Sequence, residues 1–147
     1  MQRIIHTLTE FEEEAARFSH SLAPTVKWAT LITLSGELGA GKTAFTKAVA
    51  RTLGVTETVN SPTFVLEKIY KFGSANSEFE RLIHIDAYRL EKGSDLASLG
   101  FDEIMQEPEN LILLEWPEKV ADALVKFTAK TISIEVLPDN ARKLVYG

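Results

Sequence analysis

The feature that most constrains this chain is a glycine-rich stretch, which runs Gly36-Glu37-Leu38-Gly39-Ala40-Gly41-Lys42-Thr43. The stretch matches the pattern Gly-x-x-x-x-Gly-Lys-Ser/Thr in full. An apolar run over residues 28–35 predicts a buried strand before it, and a helical pattern over residues 42–53 follows it. A strand, a glycine turn and a helix in this order predict an α/β fold whose turn binds phosphate.

Each residue type in this loop has a physical reason in a phosphate site. Glycines let the backbone turn tightly and approach a phosphate with no side chain in the way. The loop N–H groups and the positive end of the helix attract the anion. Lys42 supplies a cation to the β- and γ-phosphates, and the Thr43 hydroxyl is placed to bind Mg²⁺. We therefore expect a nucleotide to contact Glu37, Leu38, Gly39, Ala40, Gly41, Lys42, Thr43 and Ala44.

The rest of the chain alternates strand and helix patterns, which predicts a mainly parallel sheet with helices on both faces. Thr9 is the expected N-cap of a first helix, with Phe11 and Ala15 on its core face. Residues 94–105 predict short helical pieces broken at Gly100, and Pro117 is expected to begin another helix that runs to Leu124. The other predicted strands cover residues 3–6, 63–72, 82–87, 110–115, 131–137 and 142–146, with antiparallel pairs expected towards the edges.

Composition narrows the class of protein. The 147 residues are enough for a single domain, 1–147, and the absence of cysteine excludes disulfides, cysteine-ligated metals and a thiol nucleophile. The net charge is −5 and the 16 Lys and Arg form no block, which disfavours a dedicated nucleic-acid surface. No apolar run reaches the roughly 20 residues of a membrane span, and the first residues lack a signal-peptide core. We therefore expect a cytoplasmic protein without a membrane contact.

Two carboxylates are candidates for the metal and for hydrolysis. Asp86 and Glu115 each follow an apolar strand, where the carboxyl edge of a parallel sheet lies beside the phosphate loop. Either one could instead cap a neighbouring helix. The sequence leaves open which acid touches the metal and which one orients water.

Other polar and aromatic residues permit two interpretations. Ser61, Pro62 and Thr63 lie where phosphate-loop proteins place a segment that senses the γ-phosphate, although a plain loop entering a strand also fits. Trp116 could organise the site or pack in the core. His84 within an apolar strand predicts a core histidine with satisfied hydrogen bonds, and Trp28 predicts a core residue.

Five sequence blocks, of which the glycine loop is the first, occur in order along the chain. They are the loop at 36–43, Val-Asn-Ser-Pro-Thr-Phe at 59–64, His-Ile-Asp-Ala-Tyr-Arg-Leu at 84–90, Leu-Gly-Phe-Asp-Glu at 99–103 and Leu-Leu-Glu-Trp-Pro at 113–117. Together they resemble the TsaE family, also called YjeE, of bacterial threonylcarbamoyladenosine synthesis on tRNA. The resemblance runs from about residue 9 to residue 137 and implies a three-layer fold like that of P-loop NTPases, whose mixed sheet has a parallel core and antiparallel edges.

The resemblance also implies ligands and roles. ATP and Mg²⁺ are the expected cofactors, Thr43 and Glu115 the metal ligands, and Asp86 an acid needed for hydrolysis, so that Lys42, Asp86 and Glu115 form the expected catalytic set. Ser61, Pro62 and Thr63 correspond to a switch-like loop, Trp116 corresponds to a functionally sensitive position, and Thr9 and Glu10 correspond to the adenine side of the nucleotide site. We also expect a nucleotide-dependent docking surface for a partner near the switch loop and Trp116.

The expected partners are TsaB- and TsaD-type proteins, with tRNA met only through that complex. ATP hydrolysis by this subunit would support threonylcarbamoyl transfer to the adenosine beside the anticodon. Two alternatives remain. A small-molecule kinase would need an acceptor pocket and an arginine-rich lid, neither of which is visible. A nucleotide-sensing adaptor would bind ATP with negligible hydrolysis.

Overall fold

The computed structural model of the chain describes residues 1–57, 59, 66–72 and 78–147. Its strands and helices follow the alternation expected from the sequence. In chain order they are β1 (Gln2–Ile5), α1 (Leu8–His20), β2 (Thr30–Ser35), α2 (Lys42–Leu53), β3 (Glu67–Lys71), β4 (Arg81–Asp86), α3 (Gly93–Ala97), α4 (Phe101–Met105), β5 (Asn110–Glu115), a 3₁₀ turn (Pro117–Val120), α5 (Ala121–Leu124), β6 (Lys130–Val136) and β7 (Arg142–Tyr146).

The seven strands in the described part of the chain form one sheet in the order β1-β7-β6-β2-β5-β4-β3. The four central strands are parallel, because β2 pairs with both β5 and β6 and β4 pairs with β5. The outer pairs, β3 with β4, β6 with β7 and β1 with β7, are antiparallel. This arrangement confirms the predicted fold class, a mixed sheet with a parallel core and antiparallel edges.

The sheet is buried on both faces, as the continuous apolar runs of β2 and β5 predict. Ile32 and Leu34 of β2 face α1 and α2, whereas Leu31 faces the side of the short helices α3 to α5. On the first face Phe45 of α2 is fully buried and meets the ring of Phe11 edge-on, at 5.9 Å between centroids. This packing fixes α2, and with it the glycine loop, against the carboxyl ends of the central strands.

The start of α1 differs from the prediction. Helix α1 begins at Leu8, and Thr7 is the N-cap, whose hydroxyl oxygen accepts the N–H of Glu10 at 3.1 Å. The prediction that Thr9 is the N-cap is therefore wrong. Thr9 lies instead in the first turn of the helix, one residue before Glu10. The helix that follows the glycine loop, in contrast, has the predicted bounds, and Gly54 ends it in the left-handed conformation at φ 100°.

Three further elements differ in detail. Strand β2 begins at Thr30 rather than at residue 28. The side chain of Trp28 contacts the ring of Phe127 but is 40% exposed, so the prediction of a core residue there is wrong. Pro117 begins a 3₁₀ turn before α5 rather than one continuous helix. Residues 63–65 of the predicted third strand lie outside the described residues, and the described part of this strand is β3. None of the helices in the described segments is long and apolar enough to cross a membrane.

Candidate active site

The glycine loop connects β2 to α2 at the carboxyl edge of the sheet. Gly36, Gly39 and Gly41 all have positive φ, at 151°, 83° and 120°. At Gly36 a Cβ atom would stand 2.5 Å from the carbonyl oxygen of Ile134, so only glycine allows the loop to pass this close to β6. The loop thus leads directly into the N-terminus of α2, where N–H groups without helical partners attract an anion.

Lys42, the first residue of α2, is only 5% exposed. Its Nζ donates hydrogen bonds to the carbonyl oxygens of Gly36 at 2.6 Å and Glu37 at 3.0 Å. The ammonium also lies 4.1 Å from the ring centroid of Trp116. Burial lowers the pKa of Lys42, and the nearby charge of Glu115 opposes that shift. The lysine therefore presents a desolvated cation that can exchange loop carbonyls for phosphate oxygens.

Glu115 ends β5 and is 3% exposed. The hydroxyl of Thr43 donates to its carboxylate, with Oγ1 at 3.1 Å from Oε2 and 3.4 Å from Oε1. Because the hydroxyl hydrogen points to Glu115, the lone pairs of Thr43 Oγ1 remain available to a cation. The structure thus brings together the two residues that the resemblance implies as metal ligands.

Asp86 ends β4 and is the register partner of Glu115 across the parallel pair. Its Oδ1 accepts the backbone N–H of Tyr88 at 3.0 Å. Burial raises the pKa of the Asp86 carboxyl, and the negative charge of Glu115 raises it further, against the opposing effect of the Tyr88 hydrogen bond. Both acids therefore lie at one point of the sheet edge, beside the loop, as the sequence predicts.

A cavity of about 430 Å³ joins these groups. It is lined by residues of the loop and the start of α2, by both strand-end acids and by two aromatic residues. These are Leu38, Gly39, Gly41, Lys42, Thr43, Ala44, Asp86, Tyr88, Glu115 and Trp116. The rings of Tyr88 and Trp116 contact each other at 5.0 Å between centroids. Trp116 has φ 61°, a conformation that non-glycine residues rarely adopt, so the turn after Glu115 aims this ring back at Lys42.

A second cavity of about 210 Å³ lies on the other side of Gly41 and Ala44. It is apolar at Ile5, Leu8 and Phe11, and polar at Asn140 and Arg142. Thr9 and Glu10 do not line it. Glu10 instead accepts the backbone N–H of His6 at 2.8 Å, and Thr9 and Glu10 are both exposed. Their assignment to the adenine side stays a prediction, and the cavity itself is lined by their neighbours Thr7 and Leu8.

The donor set suits Mg²⁺ held together with phosphate. In the described part of the chain, no group of three or more histidine, aspartate and glutamate side chains could hold a metal by itself. Mg²⁺ in nucleotide sites takes one or two protein oxygens and fills its other positions with phosphate and water. Thr43, Glu115 and Asp86 are hard oxygen donors and fit that requirement.

The predicted switch and the predicted core histidine remain to be placed in the structure. Ser61, Pro62 and Thr63, the predicted switch, lie outside the described residues. His84, predicted to be a satisfied core residue, is fully buried, but its Nε2 is 2.5 Å from Oε2 of Glu115 and its Nδ1 has no partner in the described segments. Its contact with the site was missed. The available signal was the two-residue spacing from Asp86, which places both side chains on one face of β4.

The sheet order, the glycine loop and the strand-end acids together define an α/β protein with a P-loop-like fold. Comparison with known proteins then gives the family. The model of the family described as threonylcarbamoyl adenosine biosynthesis protein TsaE matches residues 9–144, and this chain belongs to that family. TsaE family proteins are involved in tRNA threonylcarbamoyladenosine biosynthesis.

Individual relatives agree with this assignment. The TsaE protein of Treponema pallidum is 34% identical over 132 residues, which cover 90% of this chain and 92% of the relative. That of Bacillus subtilis is 35% identical over 134 residues, covering 91% of this chain and 79% of the relative. Among solved structures, the crystal structure of Bacillus subtilis YdiB matches with a TM-score of 0.75 and 27% identity, covering 99% of this chain and 83% of that one.

Proposed function

We propose that this chain binds ATP with Mg²⁺ and hydrolyses it to support threonylcarbamoyl transfer to tRNA by a complex of TsaB- and TsaD-type proteins. The observation that carries the proposal is the contact of Thr43 with Glu115 beside the buried ammonium of Lys42. A hydroxyl held by a carboxylate at the start of a helix, next to a lysine and a glycine loop, suits a nucleotide phosphate chain with its metal.

Each side chain has a distinct task in this proposal. Lys42 would leave the carbonyls of Gly36 and Glu37 and bind the β- and γ-phosphate oxygens, where its charge offsets the negative charge that develops. Thr43 and Glu115 would hold Mg²⁺, which neutralises phosphate charge when bound. Asp86, with its raised pKa, would orient the attacking water.

The nucleotide base has a natural position in the second cavity. A base there would meet the apolar side chains of Leu8 and Phe11, and Asn140 could recognise its polar edge. The cavity borders Gly41 and Ala44, so a triphosphate could run from it along the loop towards Thr43. The start of α1 would thus contribute to nucleotide binding through Thr7 and Leu8.

The residues that line the first cavity suggest that ATP hydrolysis depends on partner proteins. None of the described residues that line it is an arginine, the residue that commonly stabilises charge on a transferring phosphoryl group. Leu38 and Tyr88 at this cavity are 77% and 46% exposed, which gives its rim an apolar surface suited to a protein partner. Slow hydrolysis by the isolated chain and stimulation by the partner complex are therefore expected.

Phosphate release tests the proposal. The chain would be assayed alone and with matching TsaB- and TsaD-type proteins and tRNA, as wild type, Lys42→Ala and Lys47→Ala. Lys47 is an exposed lysine further along α2, outside the lining of both cavities, and serves as the matched control. We expect stimulated phosphate release in the wild type and in Lys47→Ala, and its loss in Lys42→Ala.

Other outcomes identify the two alternatives. A phosphorylated small molecule in place of free phosphate would indicate a kinase. ATP binding and complex formation without hydrolysis, both unchanged in Glu115→Ala, would indicate an adaptor. Either result would overturn the ATPase proposal.

A further inference from the structure

His84 is a buried histidine whose ring lies against the proposed metal site. It belongs to β4, where it is the register partner of Leu113, two residues before Glu115 on β5. Its side chain points to the same face of the sheet as Glu115, and Nε2 lies 2.5 Å from Oε2 of that carboxylate. His84 is 0% exposed, so no water at the protein surface replaces this contact.

The chemistry of the two groups fixes where the ring hydrogen lies. The carboxylate oxygen of Glu115 is an acceptor, so the contact is a hydrogen bond when Nε2 carries the hydrogen and donates it. The opposite tautomer would place two lone pairs against each other and leave an N–H at Nδ1, which has no partner in the described segments. A buried N–H without an acceptor carries the full cost of its lost hydration. The ring is therefore a directed donor to Glu115.

The carboxylate of Glu115 is held unevenly by its two neighbours. Oε2 accepts from His84 at 2.5 Å and from Thr43 at 3.1 Å, whereas Oε1 meets the Thr43 hydroxyl only at 3.4 Å. Fixing Oε2 sets the rotation of the whole carboxylate. It also fixes the direction of the Thr43 hydroxyl hydrogen, and thereby leaves the lone pairs of Thr43 and the less engaged Oε1 to the cation.

We propose that His84 is a positioning residue, which orients Glu115 and, through it, Thr43 for Mg²⁺ bound with the nucleotide. This inference rests on the proposed function, because it assigns a task within the same metal site. Groups that hold a metal ligand in place typically contribute roughly 10–100-fold to metal affinity. His84 makes no contact with the metal or the phosphates in this proposal.

Three substitutions separate orientation from space filling. His84→Gln keeps an amide N–H near the position of Nε2, His84→Asn is too short to place one there, and His84→Leu fills the space without a donor. Tyr70→Phe is the matched control for a buried polar change in the same region, since Tyr70 is 3% exposed and is the register partner of Leu82, two residues before His84.

The measurement is the affinity of a fluorescent ATP analogue with excess EDTA and with Mg²⁺, together with Mn²⁺ binding to the nucleotide complex by electron paramagnetic resonance. With EDTA we expect all variants to bind the analogue as the wild type does, within about twofold. With metal present we expect His84→Asn and His84→Leu to lose about 10-fold in metal affinity, and His84→Gln and Tyr70→Phe to stay within about threefold.

Long-range ¹⁵N–¹H spectra of the His84 ring provide a readout that involves no ligand. We expect hydrogen on Nε2, and a ring with hydrogen on Nδ1 alone would overturn the proposal. Equal losses in the Gln, Asn and Leu variants would show a packing role and overturn it as well. If the Leu variant does not fold, the comparison of Gln with Asn decides.

The controls also separate failure of this inference from failure of the proposed function. Suppose the wild type binds the analogue with the same affinity with EDTA and with Mg²⁺, and Glu115→Gln leaves that affinity unchanged. The proposed metal site is then incorrect, and the inference about His84 fails with it. If wild-type and Glu115→Gln affinities differ with metal as expected while His84→Asn and His84→Leu match the wild type, only the role of His84 is overturned.

Discussion

Asp86 and Glu115 occupy equivalent places in the fold and have different surroundings. Each ends a central parallel strand, the two are register partners, and each is at least nine-tenths buried. Glu115 accepts hydrogen bonds from the side chains of His84 and Thr43. Asp86 accepts a backbone N–H from Tyr88, and burial raises its pKa. The comparison shows that neighbouring donors, rather than position at a strand end, set what a carboxylate can do.

The largest expected effect is at the acid held by two side chains. Glu115→Gln removes the negative charge and places an amide where two donors now point. We expect ATP turnover in the partner complex to fall about 10³-fold, since charge stabilisation at a metal is worth several kcal/mol. Phosphate release at saturating Mg²⁺ measures the loss. Turnover within fivefold of the wild type would show that Glu115 has a structural role and does not hold the metal.

A smaller effect is expected at the other acid. Asp86→Asn keeps the acceptor for the Tyr88 N–H but loses the base that would orient water. We expect turnover to fall about 100-fold, within the usual range for a general base, with nucleotide affinity unchanged within about twofold. Comparing turnover with equilibrium binding of the analogue tests this split. A parallel loss of affinity would mean that both acids serve the metal and that their difference in surroundings has no functional meaning.

The smallest effect concerns stability and has the opposite sign. Because burial raises the pKa of Asp86, the folded state binds its proton more tightly than the unfolded state does, so stability falls as pH rises from the ordinary aspartate pKa through the raised value. Asp86→Asn removes this cost. We expect its Tm in thermal unfolding without ligand to exceed that of the wild type by about 2 °C at pH 7. The difference should disappear below about pH 4. A lower Tm at neutral pH would contradict the assignment.

Local sequence determines some elements well. The bounds of α2 follow from residues within the helix itself, since the glycine loop fixes its start and Gly54 its end. Strand β5 is also as predicted, because an uninterrupted apolar run bounded by Asn110 and Glu115 has one plausible extent. The position of both acids at the sheet edge follows from the same runs.

Other features depend on contacts that local sequence does not contain. Thr7 and Thr9 are each followed by glutamate three residues later, so both fit the same capping pattern, and tertiary packing selects Thr7. His84 acquires its partner 31 residues further along the chain, which requires that β4 and β5 be parallel neighbours in one particular register. Trp28 is exposed because it precedes β2, at the end of the strand opposite the glycine loop.

The pairing of β1 with β7 has a consequence for the order in which the protein is made. Among the described strands, β1 pairs only with β7, from Gln2 beside Val145 to Ile5 beside Arg142. At typical synthesis speeds β1 leaves the ribosome roughly 10 s before its partner exists. This edge of the sheet therefore closes after translation has passed residue 146, and the second cavity, which Ile5 helps to line, is completed at the same late step.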